Sequence, residues 1–550
     1  MRSVTALFLL FLSCSAFAQT IGTCDQGEAT ADLDVGNVRA GLFNGGNLFY
    51  SSTTGAFSAY EVPKDSGMSA AFAAQLWLGG MVQGELRTAS ATFVNQEFWP
   101  GPLDPSGNPP TDCSAYDRIF KVNKTHVEHY LQTGEATDDL REWPHDLGAP
   151  VLDGDGNPNN YNLEGGDQPA IWGDQTAWWV MNDLGNEHTR SQGDPLGIEV
   201  QVTAFAVDTP LQAYEDATYY IYRLLNKSTL PMDSMFATFW WDTDIGDVGE
   251  YAGSDTTLMM AYAYNTENDP VYGDRPPALG VKLLQGPIVD ANGLDDDGDG
   301  DVDEVGERMG MTSAGMAFNA STEPGMGDPF LSHHYYNVMR GLWRDGTPIT
   351  EGGRGYQTGG PETKFVFPGD PVAGAYWSEL NTDGSGSGNG AGNKRGLLST
   401  GPFVIEPGGE QEIAFAIVFG RGSNNLDSIT WMRIAANAIQ EVYDEGGFDP
   451  ELVESQVEQE PEGAESIFLS RVAPNPITDE ATIRYSLPAA MNVRLEMFDV
   501  LGREVAVLVD GEHARGEYEV QLDGNALRPG VYLVRLEAGN ASRTIRFTKR

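Results

Sequence analysis

Between residues 197 and 285 the chain repeats one pattern, short runs rich in branched and aromatic residues, each closed by Asp, Gly, Asn or Pro. GIEVQVTAFAV (197–207) sets Ile198, Val200 and Val202 against Glu199, Gln201 and Thr203. That period of two predicts a strand with one face in a core and one in water. ATYYIYRLLNKS, SMFATFWWDTD, TLMMAYAYN and ALGVKLLQG continue the series and predict further strands. FVIEPGGEQEIAFAIVFG (403–420) reads as a hairpin around Pro407-Gly408-Gly409, with Ile413, Phe415, Ile417 and Phe419 on one face. The period changes once, in LDSITWMRIAANAIQEVYDEGG, where apolar residues at 426, 429, 434, 435, 438, 439 and 442 predict a helix. Asn425 or Asp427 is placed to cap it and Gly446-Gly447 to stop it. Together these elements predict a mainly β protein, a large antiparallel β-sandwich body with long loops and one helix at its C-terminal end.

After that helix the pattern lapses. DPELVESQVEQEPEGAES (449–466) has two prolines and no positive charge, the composition of an acidic linker. Beyond it, seven short strands recur at intervals of 8 to 12 residues, from a leading strand at 470–473 to a last one at 542–548, which predicts a small immunoglobulin-like β-sandwich. The chain's first residues, MRSVTALFLLFLSCSAFAQT, order a basic residue, an apolar run and Ala16-Phe17-Ala18 as a secretory signal peptide does, with cleavage between Ala18 and Gln19. The expected organisation is therefore a signal at 1–18, a body at 19–448 that can hold two subdomains, the linker, and a terminal domain at 467–550.

Charge sharpens this division. The net charge is −47, yet residues 467–550 hold eleven Lys/Arg and eleven Asp/Glu, so the whole excess precedes them. So acidic a body argues against nucleic acid and anionic membranes as partners and suits high salt or divalent cations. No later apolar run reaches the roughly 20 residues of a membrane span. With the signal removed, Cys24 and Cys113 remain, and one disulfide between them is the simplest pairing in an exported protein.

The terminal domain also carries a resemblance. Pro474-Asn475-Pro476, FDVLGREV with Gly502, LRPGVYLVRL with Pro529, Gly530 and Tyr532, and the basic end Lys549-Arg550 resemble, in order, the type A C-terminal sorting domain of the type IX (Por) secretion system. The resemblance implies export by the general secretory route and then by the type IX machinery of a Gram-negative-type bacterium. It further implies release, or attachment to surface lipopolysaccharide. LDVGNVRAGLFNGGNLFY and GDQTAWWVMND in the body resemble a group of large cargo proteins of the same system, which implies no mechanism.

Candidate chemistry in the body centres on oxygen ligands. NGLDDDGDGDVDE sets Asp295, Asp297 and Asp299 at positions 1, 3 and 5 of a D-x-D-x-D-G pattern, with Asp301, Asp303 and Glu304 following; carboxylates two apart in a tight turn suit structural calcium. DGDGNPNNYNLE repeats the spacing with Asp153, Asp155, Asn157 and Glu164 at 1, 3, 5 and 12. WWDTDIGD offers Asp242, Asp244 and Asp247 at a strand end. His126, Glu128 and His129 in HVEH could hold a transition metal or simply face water on a helix. DGSGSGNGAGNK (383–394) lacks the Gly-Lys-Ser/Thr ending of a phosphate loop. No serine, cysteine or zinc-protease catalytic motif is present. Two readings stay open: a non-enzymatic adhesin or matrix-like protein with calcium-stabilised loops and extracellular glycans among its partners, or a secreted hydrolase acting on polysaccharide. For the second, Trp77, Trp99, Trp172 and Trp343 are the candidates to stack on sugars.

Overall fold

The computed structural model describes residues 20–50, 60–90, 92, 96–209, 211–289, 306–318, 323–444 and 446–448. In the C-terminal region it describes 468–469, 472, 477, 480–487, 490–499, 504–527, 530–538 and 541–549. The protein is mainly β, and its sheets are antiparallel throughout their named pairs. The chain divides into two compact units, 1–207 with 216–440, and 208–215 with 441–550. The expected linker at 449–466 lies outside the described residues.

Two large sheets build the first unit. One runs in the order Ser313–Phe318, Lys394–Ile405, Met232–Asp242, Ala73–Val82, Asn47–Leu48, Arg39–Phe43, Tyr60–Glu61 and Ser69–Ala71, with Thr30–Leu33 and Glu85–Ala89 paired at its side. The other runs Glu250–Asp255, Met260–Asn265, Ala278–Gln285, Glu410–Gly420, Ala217–Leu225, Glu199–Ala206, Gln175–Asn182 and Trp99–Pro100, with Phe120–Asn123 beside Gln175–Asn182. Their facing sides share one core. Leu76, Leu78, Ala237, Phe239 and Leu398 of the first meet Val200, Val202, Tyr220, Tyr222, Phe415 and Ile417 of the second. Phe239 stands with its ring centroid 5.2 Å from Phe415 and 6.1 Å from Tyr220, so it plugs the centre of the sandwich.

The outer faces are covered too. On the first sheet the short helix Ser332–Met339 lays Tyr335, Tyr336 and Met339 over Trp77, Phe236 and Trp240, with Trp77 stacked on Trp240 at 5.7 Å. On the second, Val127, Leu140, Trp143 and Ala149 from the segment after Phe120–Asn123 pack on Trp178 and Val180. The helix Asn425–Asp444 brings Met432 down on the strands where Gly280 and Gly420 leave room for it.

This second layer changes the reading of 197–207. Every residue of Glu199–Ala206 is buried, where a half-exposed strand was expected. The polar face is buried with partners: Glu199 accepts from Leu103 N at 2.7 Å, Gln201 Nε2 at 3.0 Å and Lys227 Nζ at 2.6 Å. The hairpin expected at 403–420 is also corrected. Lys394–Ile405 pairs with Met232–Asp242, whereas Glu410–Gly420 pairs with Ala217–Leu225 and Ala278–Gln285. The Pro407-Gly408-Gly409 turn therefore carries the chain from one sheet to the other. Periodicity reports which residues are inward, and two strands facing across a core alternate just as two strands side by side do.

The final helix runs where its period placed it, but its cap is Asn424, whose Oδ1 accepts from Leu426 N and Asp427 N at 3.0 Å each. Gly446, at φ +69°, ends it in the left-handed conformation that glycine tolerates. Ile434, expected inside, is partly exposed, and Trp431 is half exposed.

Among the described residues the C-terminal unit holds seven strands; six overlap the expected ones, whereas the first is Phe468–Leu469, ahead of the expected 470–473. Phe468–Leu469, Glu480–Leu487 and Gly516–Asp523 form one sheet; Glu504–His513, Met491–Asp499, Gly530–Ala538 and Ala541–Lys549 form the other. Ile483, Tyr485, Leu495, Val534, Leu536 and Phe547 fill its core.

Phe239→Ala is expected to cost about 3–5 kcal/mol in urea unfolding of the body, and Trp431→Ala less than about 0.5. Equal losses from the two would contradict the placement of Phe239 at the centre of the sandwich.

Candidate functional site

The loop after Val151–Leu152 draws its carboxylates together through its own backbone. Asp153 Oδ1 accepts from Gly156 N at 2.7 Å and Asn157 N at 3.1 Å, which closes the Asp-Gly-Asp-Gly turn. Asp167, buried at the far end of the loop, accepts from Gly154 N, Asp155 N and Asn162 N at 2.6 to 3.2 Å. As a result, ligand oxygens of Asp153, Asp155 and Asp167 all lie within 4.8 Å of one another. Asp155 is held below the usual carboxylate range chiefly by the side-chain amides of Asn162 and Asn160, at 3.0 and 3.2 Å. Asn160 Oδ1 is a buried oxygen with no donor. Hard oxygens at this density suit calcium more than a transition metal.

Of the residues expected here, Asp153 and Asp155 converge. Asn157 turns its Oδ1 to Asn159 N at 3.4 Å, and Glu164 sits exposed in the turn Leu163–Gly165. Asp167 was missed because it stands fifteenth in the loop, beyond the twelve-residue frame. Its visible signal is Gly165-Gly166-Asp167, glycines that let the chain close on Gly154; a Cβ on Gly154 would meet Gly166 O at 2.2 Å. A groove of about 200 Å³, lined by His145, Ala149, Pro150, Val151 and Pro158, adjoins the cluster and shares Asp153 and Asn160 with it.

The Asp242, Asp244 and Asp247 set is not a rim. Asp242 is buried and paired with Arg395 Nη2 at 3.2 Å, Asp244 is partly buried, and Asp247 faces water. The group that joins them inside is Glu250, fully buried, its Oε1 accepting from Ile245 N at 3.0 Å. Beside it, Lys394 and Glu379 form a buried pair at 3.3 Å. Burial, with Asp244 and Asp328 nearby, pushes Asp242 up to about 7 against the pull of Arg395. Burial and Asp244 push Glu250 up to about 8. Asp242, Glu250, Glu379 and Lys394 are all buried within the fold.

Other candidates resolve into structure. His126 Nδ1 accepts from Asn123 N at 3.4 Å in a capping box, and His129 turns to Glu135. Asp383 gathers the amides of Ser385 and Ser387 at 2.8 and 3.1 Å, which puts a carboxylate where a phosphate loop would place its ligand. Trp77, Trp99 and Trp343 are core residues and Trp172 is half buried. Cys24 and Cys113 form a disulfide with Cα atoms 5.6 Å apart, against Trp99. Ala18 and Gln19 lie outside the described residues, as do Asp295, Asp297, Asp299, Asp301, Asp303 and Glu304.

The terminal sandwich carries the clearest evidence. Residues 471–550 match the family described as the secretion system C-terminal sorting domain. The C-terminal domain is a type IX secretion sorting domain. The protein is accordingly a secreted or cell-surface protein that engages the type IX machinery through this domain. Within the sorting domain, Tyr532 is buried and stacks on Phe547 at 5.4 Å, and Lys549 ends the last strand, paired in register with Gly530. Its motif residues Pro474, Asn475, Pro476, Gly502 and Pro529 lie outside the described residues. No helix among the described residues is long and apolar enough to cross a membrane.

No curated protein matches the chain in sequence. Solved structures similar to it include a polysaccharide lyase, at 9% identity and TM-score 0.17, covering 64% of this chain and 34% of that one. They also include PorZ, a surface component of the type-IX secretion system of Porphyromonas gingivalis, at 10% identity and TM-score 0.12, covering 70% and 45%. Latent PorU from the same organism follows at 9% and 0.14, covering 68% and 31%. The chain spans less than half the length of each, and at these scores no activity is read from them.

Two outcomes follow. A chain lacking 471–550, expressed in a host with the type IX system, is expected to accumulate in the periplasm; its appearance in the medium or on the surface would contradict the sorting role. Glu250 has a folded pKa of about 8 against an ordinary 4.5. Its contribution to stability is thus complete below about pH 4.5 and lost as pH rises through 8. Glu250→Gln should leave acid stability nearly unchanged and raise stability at pH 9 by something on the order of 3 kcal/mol. A parallel pH profile in wild type and variant would refute this.

Proposed function

We propose that the body is a non-enzymatic extracellular binding or structural protein, of adhesin or matrix type. In this reading the Asp153–Asp155–Asp167 loop takes a calcium ion and presents it to a ligand in the adjoining groove. The observation that carries the proposal is the convergence of three carboxylates within 4.8 Å on an exposed loop that shares Asp153 and Asn160 with the groove. Calcium takes six to eight oxygens, more than three side chains supply. Positions left on the ion suit the hydroxyls of an extracellular glycan, and Pro150 and Val151 offer its ring an apolar floor. Asp242, Glu250 and Glu379, carboxyls that burial pushes up, lie inside the fold, which favours binding over hydrolysis as the body's role.

Melting the purified mature body in calcium and in chelator tests this. An ion bound only by the folded state stabilises by about 2.7 kcal/mol when present at one hundred times its Kd. Asp155→Asn should remove most of that gain, whereas Asp297→Asn tests the acidic run at 295–304 separately. A melting temperature indifferent to calcium would sink the proposal, and so would an undiminished calcium shift in Asp155→Asn.

A further inference from the structure

His188 lies between the two sheets with its side chain fully buried. Its Nδ1 is 2.7 Å from the carbonyl oxygen of Thr88, in the strand Glu85–Ala89 of the first sheet. Its Nε2 is 2.7 Å from the carbonyl oxygen of Asp183, which follows Gln175–Asn182 of the second. A carbonyl oxygen only accepts, so each ring nitrogen needs a proton to bond there. A neutral imidazole has one; the other nitrogen would turn a lone pair on an oxygen at 2.7 Å.

The surroundings fit a cation. Glu97 and Asp183 are buried carboxylates. Glu97 Oε2 stands 3.6 Å from Nδ1, and its oxygens accept from Ser90 N, Arg190 N and Ser191 N at 2.6 to 3.1 Å. Asp183 accepts from Leu196 N, Gly197 N and Ile198 N at 2.5 to 2.9 Å. Six N–H donors thus converge on two carboxylates, as they would on ionised groups. Burial pushes both carboxyls up, and the charge of His188 heads the influences that pull them back. Trp99 stacks on the imidazole at 5.7 Å and 26°, within cation–π range. Arg190, whose backbone N–H is one of the Glu97 donors, turns its Nε to Tyr335 Oη at 3.3 Å.

We infer that His188 carries a proton on both ring nitrogens, a buried charged clamp that joins the two sheets through Thr88 O and Asp183 O. Loss of its proton would leave two buried carboxylates without their counter-charge and turn one carbonyl contact repulsive.

The test is nitrogen NMR on the full mature chain with 15N-labelled histidine. At pH 8, one histidine of the chain should show both ring nitrogens protonated, and that signal should vanish in His188→Gln. If His188→Gln does not fold, contacts from both ring N–H protons to the Trp99 indole assign the signal instead. The pattern of one bare and one protonated nitrogen in every histidine would overturn the inference. His188→Gln should also lower the melting temperature, and a folded variant that melts as the wild type does would overturn the clamp.

Discussion

Covering both faces of both sheets is the constraint from which most of this structure follows. A strand with one face in water can hold any polar side chain there; a strand buried on both sides can hold one only where another group meets it. Glu199 is tolerable because Leu103 N, Gln201 and Lys227 converge on it, and Lys394 because Glu379 stands at 3.3 Å. The same rule gives His188 its two carbonyls. The aromatic content serves the same end: Trp178, Trp179, Trp240 and Trp241 are all buried, adjacent members of each pair pointing to opposite sides, one into the central core and one under an outer layer.

That constraint also explains which parts of the fold were legible in the sequence. Patterns that are local came through: the helix Asn425–Asp444, and six of the seven described strands of the terminal domain. Patterns whose meaning depends on distant chain did not. Nothing within 197–207 says that Leu103 and Lys227 will meet Glu199 or that Leu147 O will meet Gln201, and nothing near Pro407 distinguishes a turn within a sheet from a crossing between sheets. In the candidate site, Asp153 and Asp155 were visible from their spacing, whereas Asp167 is recruited by backbone closure at Gly154 and Gly166. Glu250, eight residues past Asp242, enters the acid cluster only through the strand that carries it.

The acidity of the chain is sorted by these same forces. Some body carboxylates are met in the interior by Arg395, Lys394 or neighbouring N–H groups, and others stand exposed on loops. The sorting domain, with charges in balance, pairs its own, as Glu496 does with Arg494 along its strand and with Arg535 on the neighbouring one. The acidic body and the charge-balanced sorting domain thus differ in electrostatic character, and it is the sorting domain that engages the type IX machinery.

The central claim for the body is that its exposed oxygen cluster is an ion site. Crystals of the mature body soaked in terbium, a calcium substitute with strong anomalous scattering, put that claim to the most direct test. The account predicts an anomalous peak enclosed by Asp153, Asp155 and Asp167. A well-ordered loop with no peak there would contradict it.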